Sequence, residues 1–167
     1  MNTKISLLLS IALITFFGCG QKESAINVSS PNQAHQIVFG LSEKGRPFYK
    51  VLHNNNIVID TSYLGFEFKD QEPLTSNFSI LGSNTASFNE TWQMPWGEQL
   101  NVENHYNELV VQLEEQTESP RKINIHFRAF DDGIGFRYEF PKQEGMEELT
   151  ITDENTEFNL TGDHKVW

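Results

Sequence analysis

The amino-acid sequence predicts an all-β sandwich. Three observations carry that prediction. Short runs of β-branched and aromatic residues are bounded by turn chemistry, apolar and polar residues alternate at period two, and no sustained 3.6-residue pattern appears after residue 30. At 167 residues the chain suits one ordinary domain, long enough to bury most of its unfolded surface in a single core. Hydrophobic residues at 38%, thirteen of the residues being phenylalanine, against 21% charged residues place it among globular chains.

The elements follow in order. Gln36 to Leu41 reads as a strand, Glu43-Lys44-Gly45-Arg46-Pro47 as a turn and Phe48 to His53 as the next strand. Asn54 to Asn56 make a second turn, because asparagine tolerates the left-handed backbone that tight hairpins require, and Ile57-Val58-Ile59 follows. Leu64, Phe66 and Phe68 alternate with Gly65, Glu67 and Lys69, and Leu109, Val111 and Leu113 alternate with Val110 and Gln112. Each pattern gives one packed face and one face toward water or a second layer.

The best-defined pair is INIHFRAF-DDG-IGFRYEF. Ile123, Ile125, Phe127 and Ala129 share one face of the first strand, and Ile134, Phe136, Tyr138 and Phe140 share one face of the second. Asp132-Gly133 is expected to supply the positive dihedrals of the connection, and Pro141 to stop the second strand, since it cannot donate to a ladder. Gln143 to Leu149 reads as a polar loop, with further strands at Leu149 to Thr152 and Glu157 to Leu160. The count of about ten to twelve short strands is that of a sandwich.

The opening MNTKISLLLSIALITFFGCG has a short positive region at Lys4, an apolar run from Ile5 to Phe17 and the small residue Gly18. That run is too short for a comfortable membrane span and reads as a bacterial secretory signal. Phe16-Phe17-Gly18-Cys19 resembles a lipobox, in which the cysteine thiol takes a diacylglycerol and becomes the new N-terminus. The expected organisation is therefore a lipoprotein signal peptide over 1–18, a polar tether over 19–30 anchored to the membrane through Cys19, and one β-sandwich domain over 31–167. A bacterial cell-envelope location, periplasmic or at the outer membrane, follows from that anchor.

A formal charge of −11 argues against a nucleic-acid partner, because phosphate neutralisation needs a basic footprint and no Lys/Arg cluster supplies one. There is no paired Cys/His ligand set, no phosphate-binding glycine loop and no Gly-x-Ser-x-Gly elbow. Asp131-Asp132-Gly133 lacks the alternating oxygen ligands of a calcium loop and reads as a hairpin connection. His126 lies within a strand, facing solvent or an interlayer, with no ligand partner nearby in sequence. His35 and His53 have less still to recommend them.

What remains is ETWQMPWGEQLNVENHYNEL, without clean periodicity, and the closing GDHKVW. Tryptophan faces stack on the apolar faces of sugar rings while acids and amides orient hydroxyls, so Trp92, Trp96, Glu98, Asn104 and His105 have the chemistry of a carbohydrate platform. Equally, both tryptophans can plug the sandwich edge, with Pro95-Trp96-Gly97 as a bend.

Taken with SPNQAHQIVFGLSEKGRPFYKVLHNNNIVIDTSYLGFEF and HFRAFDDGIGFRYEFP, these blocks resemble the N-terminal domain of glycoside hydrolase family 97, the α-glucosidases and α-galactosidases of Bacteroides-like bacteria. The resemblance runs from about Ser30 to Trp167. It implies a β-super-sandwich of the galactose mutarotase-like fold, packed against a (β/α)8 catalytic barrel and lending residues to its active site. It also implies calcium dependence of the full-length enzymes and substrates that are α-linked glucosides or galactosides. No catalytic residue and no complete metal or cofactor site is expected in this chain, which resembles the family only up to a point before its barrel and is expected to be a truncated product, inactive alone. Trp92, Trp96, Glu98, Asn104, His105, Asp163 and His164 carry over as candidates for the barrel interface or substrate. A freestanding carbohydrate-binding lipoprotein is the alternative, and a mutarotase-like isomerase is a third reading.

Overall fold

The computed structural model describes residues 25–165. Cys19, the signal peptide and the first half of the tether lie outside them, as do Val166 and Trp167; the second half of the expected tether is not a tether, since Ile26–Ser29 pairs into a sheet. Ten strands run in the order β1 (Ile26–Ser29), β2 (His35–Leu41), β3 (Pro47–His53), β4 (Asn56–Tyr63), β5 (Phe66–Phe68), β6 (Phe78–Gln93), β7 (Asn101–Glu115), β8 (Lys122–Phe130), β9 (Ile134–Glu139) and β10 (Ile151–Glu154). They form three antiparallel sheets, none closed into a barrel: β1-β2-β3-β4, β6-β7-β8-β9, and the small pair β10-β5. The all-β prediction therefore holds, and the two four-stranded meanders face each other across one core.

Period-two patterning builds that core. Ile37 and Phe39 from β2, Tyr49 from β3, Leu109, Val111 and Leu113 from β7, and Phe127 and Ala129 from β8 are wholly buried. Aromatic contacts bridge the two sheets: Phe39 meets Phe127 at 5.7 Å between ring centroids, and Tyr49 meets Phe136 at 5.2 Å. The β5–β10 pair adds Phe66, edge-on to Tyr138 at 4.7 Å and to Phe140 at 5.2 Å. Leu109, with no exposed surface, is worth about 2–5 kcal/mol against alanine on the usual scale for core leucines.

Turn chemistry fixes register in the first sheet. Asn54 and Asn55 take φ of 49° and 64°, the left-handed pair that matches strand twist in a two-residue hairpin. Gly45 has φ +66° and lies so close to β6 that a Cβ would stand 2.6 Å from the Phe78 backbone nitrogen. The Asn77 and Phe78 amides donate to the Lys44 and Gly45 carbonyls, which ties the first sheet's turn to the second sheet's first strand. The Asp131–Gly133 connection corrects one expectation, since neither Asp132 nor Gly133 has positive φ. Its third residue relaxes that need: the Phe130 amide donates to the Gly133 carbonyl at 2.8 Å, and the Asp131 carboxylate accepts from the Asn32 amide.

Glu157 to Leu160 does not form a strand of its own, but the segment binds along the edge of β4. Glu157 and Thr161 amides donate to Tyr63 and Val58 carbonyls, and Asp60 donates to Asn159. At the opposite corner Glu115, buried at 5% exposure, pairs with Arg121. Four of the five guanidinium N–H groups are engaged, by both Glu115 oxygens and the Glu72 and Pro73 carbonyls.

Burial pushes the Tyr49 hydroxyl up to about 12 while it donates to the Glu157 carbonyl at 2.9 Å; burial raises Tyr138 as well. A phenol with a raised folded-state pKa contributes stability that is intact below its unfolded value of 10.0 and is lost as pH climbs toward the folded value. Tyr49→Phe is therefore expected to flatten, without abolishing, the fall of melting temperature from about pH 9 to about pH 11.5, at a neutral-pH cost of about 1 kcal/mol. Thermal melts of both proteins across that range measure it.

Candidate functional site

The paired register of β6 and β7 continues past the sandwich. β7 pairs with β8 only from Tyr106 to Glu114, whereas its pairing with β6 runs on through Trp92↔Val102 and Gln93↔Asn101. The six-residue strands from Phe88 to Gln93 and from Asn101 to Tyr106 thus form a two-stranded arm about 20 Å long. The Met94 amide donates to the Leu100 carbonyl at 2.8 Å and closes a loop over Pro95 to Gln99, where Gly97 takes φ 119°. This corrects the sequence expectation of an irregular segment.

The arm is amphipathic. Phe88, Trp92, Val102 and Tyr106 share one face because they stand directly opposite one another across the ladder. Between them Asn104 donates to the Glu90 carboxylate at 2.9 Å, a polar pair that interrupts the apolar row. The other face carries Asn89, Thr91, Gln93, Asn101, Glu103 and His105. Trp92 is 44% exposed, Met94 41%, Leu100 59% and Trp96, at the tip, 82%. The tryptophans therefore do not plug the sandwich edge.

At its root the apolar face merges with the outer surface of the β6-β7-β8-β9 sheet. Phe88 stacks on Tyr106 at 4.9 Å, Tyr106 contacts Phe130 at 5.0 Å, and the Arg128 guanidinium lies 4.4 Å from the Tyr106 ring centre. Arg128 is held there by Glu108 at 2.9 Å. Next to this pair His126 Nε2 lies 2.6 Å from the Glu139 carboxylate, and that hydrogen bond holds Glu139 below the usual carboxylate range, helped by Asn124. His126 Nδ1 is buried without a hydrogen-bond partner, 4.0 Å from Glu108. His126 is thus on the outer face but largely covered by its neighbours.

Of the seven residues singled out from sequence, Trp92, Trp96, Glu98, Asn104 and His105 all lie on the arm. Trp92 and Asn104 share its apolar face, His105 is on the opposite face, and Trp96 and Glu98 belong to the tip loop. Asp163 and His164 follow the segment bound to β4 and make no hydrogen bond to the arm among the described residues. Sequence reasoning missed Phe88, Met94, Leu100, Val102 and Tyr106, the apolar partners. The signal was present as alternation at 88, 92 and 94 and again at 100, 102 and 106, once Glu90 and Asn104 are recognised as a cross-strand pair.

No group of three or more His, Cys, Asp or Glu side chains is arranged to hold a metal ion among the described residues. An open cleft of about 630 Å³ lies beside the Glu115–Arg121 pair, at the far end of β6 and β7 from the arm tip. Its one guanidinium already serves that corner. The arm, with its exposed tryptophans, is the chemically distinctive surface among the described residues.

Fold and arm together define an all-β domain with an exposed, partly apolar two-stranded ribbon. The chain belongs to the glycosyl-hydrolase 97 N-terminal family, whose model matches residues 28–167. It is similar to a glycoside hydrolase family 97 enzyme from Pseudoalteromonas sp. strain K8, solved with panose and with acarbose, at 38% identity and a TM-score of 0.77 over 81% of this chain and 20% of that one. A β-arabinopyranosidase structure is similar at 27% identity and a TM-score of 0.73, covering 81% of this chain and 21% of that one. A retaining α-galactosidase of Bacteroides thetaiotaomicron is 24% identical over 135 residues, which are 81% of this chain and 19% of that protein. The chain spans about a fifth of the length of these relatives. The matched residues correspond to the N-terminal domain of that family.

Proposed function

We propose that this chain serves as the accessory N-terminal domain of a family 97 α-glycosidase, docking the apolar face of its arm on a (β/α)8 catalytic barrel and completing the edge of that barrel's active site. One observation carries the reading: a preformed ribbon with Trp92, Met94, Leu100 and Trp96 exposed along one short stretch of chain, and exposed apolar clusters of this kind mark interaction surfaces. The substrates are α-linked glucosides or galactosides. Hydrolysis needs two carboxyl groups placed across the scissile bond, and on this reading the barrel places them. Calcium likewise belongs to the longer protein. The finer fold assignment, a super-sandwich of the galactose mutarotase-like type, is part of the same proposal and is supported by two facing meanders of antiparallel strands.

Purified residues 20–167 are expected to show no hydrolysis of p-nitrophenyl α-glucosides or α-galactosides with calcium present, and to bind maltose or melibiose no tighter than the millimolar range by calorimetry. Turnover by this chain alone defeats the accessory reading. Micromolar sugar binding without turnover favours the freestanding carbohydrate-binding lipoprotein.

The envelope location rests on the sequence around Cys19. Lipidation there places the domain on a tether at the membrane surface, and a single thiol in a secreted chain is otherwise without a partner. Cys19→Ser is expected to move the protein from the detergent phase to the aqueous phase in a cloud-point separation of expressing cells. Equal partitioning of both forms contradicts the anchor.

A further inference from the structure

His35 and His53 have no part in the arm or in the core. They stand directly opposite each other in the antiparallel register of β2 and β3, as the terminal pair of that ladder, beside the Asn54–Asn55 turn. Strand parity puts them on the same face as the buried Ile37 and Val51, two residues further in, but at the rim of the sandwich, where His53 is exposed. Both backbones are pinned. The Ser30 amide donates to the His35 carbonyl at 2.8 Å, the His35 amide donates to the Ser30 hydroxyl at 3.0 Å, and the Asn54 amide donates to the Ala34 carbonyl at 2.8 Å. The two rings therefore project from a rigid platform.

The ring geometry is that of a chelate. The centroids are 4.7 Å apart, and His53 Nδ1 lies 3.1 Å from His35 Nε2, a separation at which the two share a hydrogen bond. Two imidazole nitrogens bound to one ion at about 2.0–2.1 Å stand about 2.9 Å apart at a right angle and about 3.3 Å apart at the tetrahedral angle. The observed distance falls between those limits, so an ion can replace the shared proton with little more than rotation of the rings. His35 Nδ1 is buried without a hydrogen-bond partner among the described residues, which makes Nε2 the nitrogen that His35 has to share. On the other side of His53, its Nε2 lies 3.0 Å from the Asn54 carboxamide nitrogen.

We propose that His35 Nε2 and His53 Nδ1 form a two-nitrogen site for a divalent late transition-metal ion of the copper, nickel and zinc class. Imidazole suits these ions, whereas calcium takes oxygen ligands, so the site is not one for calcium. No further His, Cys, Asp or Glu is grouped with the pair among the described residues, and water fills the remaining positions. Both rings ligate as neutral imidazoles, His35 keeping its proton on Nδ1 and His53 on Nε2. With its carboxamide turned over, Asn54 accepts that Nε2 proton and fixes the His53 ring, the outer support that metal-bound histidines use. A formal charge of −11 favours the approach of any cation. Bound there, the ion clamps the start of β2 to the end of β3. The inference is independent of the accessory-domain reading and of the arm.

Copper(II) titrated into the chain, produced without a histidine tag and followed by electron paramagnetic resonance, tests it. Binding is expected to saturate at a single ion whose spectrum shows nitrogen coupling from two imidazoles, and nickel(II) is expected to raise the melting temperature until a chelator removes it. His53→Gln, at an exposed position, is expected to weaken binding at least tenfold and leave coupling to one imidazole at most. His35→Gln is expected to do the same, so the result does not hang on one substitution, and metal-free melting temperatures show that each variant is folded. Asn54→Gly, which suits the positive φ of that residue, is expected to keep both imidazoles and weaken binding severalfold, while His105→Gln leaves it unchanged. Absence of saturable binding overturns the proposal, as does coupling to one imidazole in the unsubstituted chain or affinity that survives both His35→Gln and His53→Gln.

Discussion

β7 is fifteen residues long and β8 nine, and this mismatch sets the shape of the molecule. From Leu109 to Leu113 the longer strand is the buried centre of a four-stranded sheet. Beyond Tyr106 it has lost one neighbour, and only the ladder to β6 accompanies it outward. An isolated two-stranded ribbon is marginal in water. Here the ribbon is a continuation of a ladder already fixed by the core, so its register and pleat are inherited rather than formed afresh.

The inheritance also decides which side becomes apolar. Core-facing positions of β7 are odd-numbered, Leu109, Val111 and Leu113, while Tyr106, Glu108 and Val110 face outward. A strand keeps that parity along its length, so the arm's Tyr106 and Val102 continue the outer surface of the sheet, not its core. The stack of Phe88, Tyr106 and Phe130, with Arg128 placed over Tyr106 by Glu108, anchors the root of this surface. Such aromatic and cation–π contacts are each worth roughly 0.5–1.5 kcal/mol.

Much of the sandwich was legible because its inner strands obey period two without interruption, as at Ile123, Ile125, Phe127 and Ala129. β6 was not. A bulge between Ile80 and Gly82 reverses its parity, and its later core-side positions are Ser83, Thr85 and Ser87, so no hydrophobic pattern marks it as a strand. The arm residues were recognised by composition, through Trp92, Trp96 and His105, but the division of the strand residues between two faces follows from pairing across the ribbon. That pairing is long-range information that no single strand carries. Asp163 and His164 were grouped with the arm by motif, whereas the chain's attachment to β4 places them in a separate run.

The central claim is that the arm exists in the free domain as a register-fixed ribbon with an open apolar face. Through-space proton contacts in solution, recorded on residues 25–167, address it most directly. Cross-strand contacts are expected between the Phe88 and Tyr106 rings and between Trp92 and Val102, with extended-strand shifts continuing to Gln93. Random-coil shifts from Asn89 to His105, with no Trp92–Val102 contact, would contradict it.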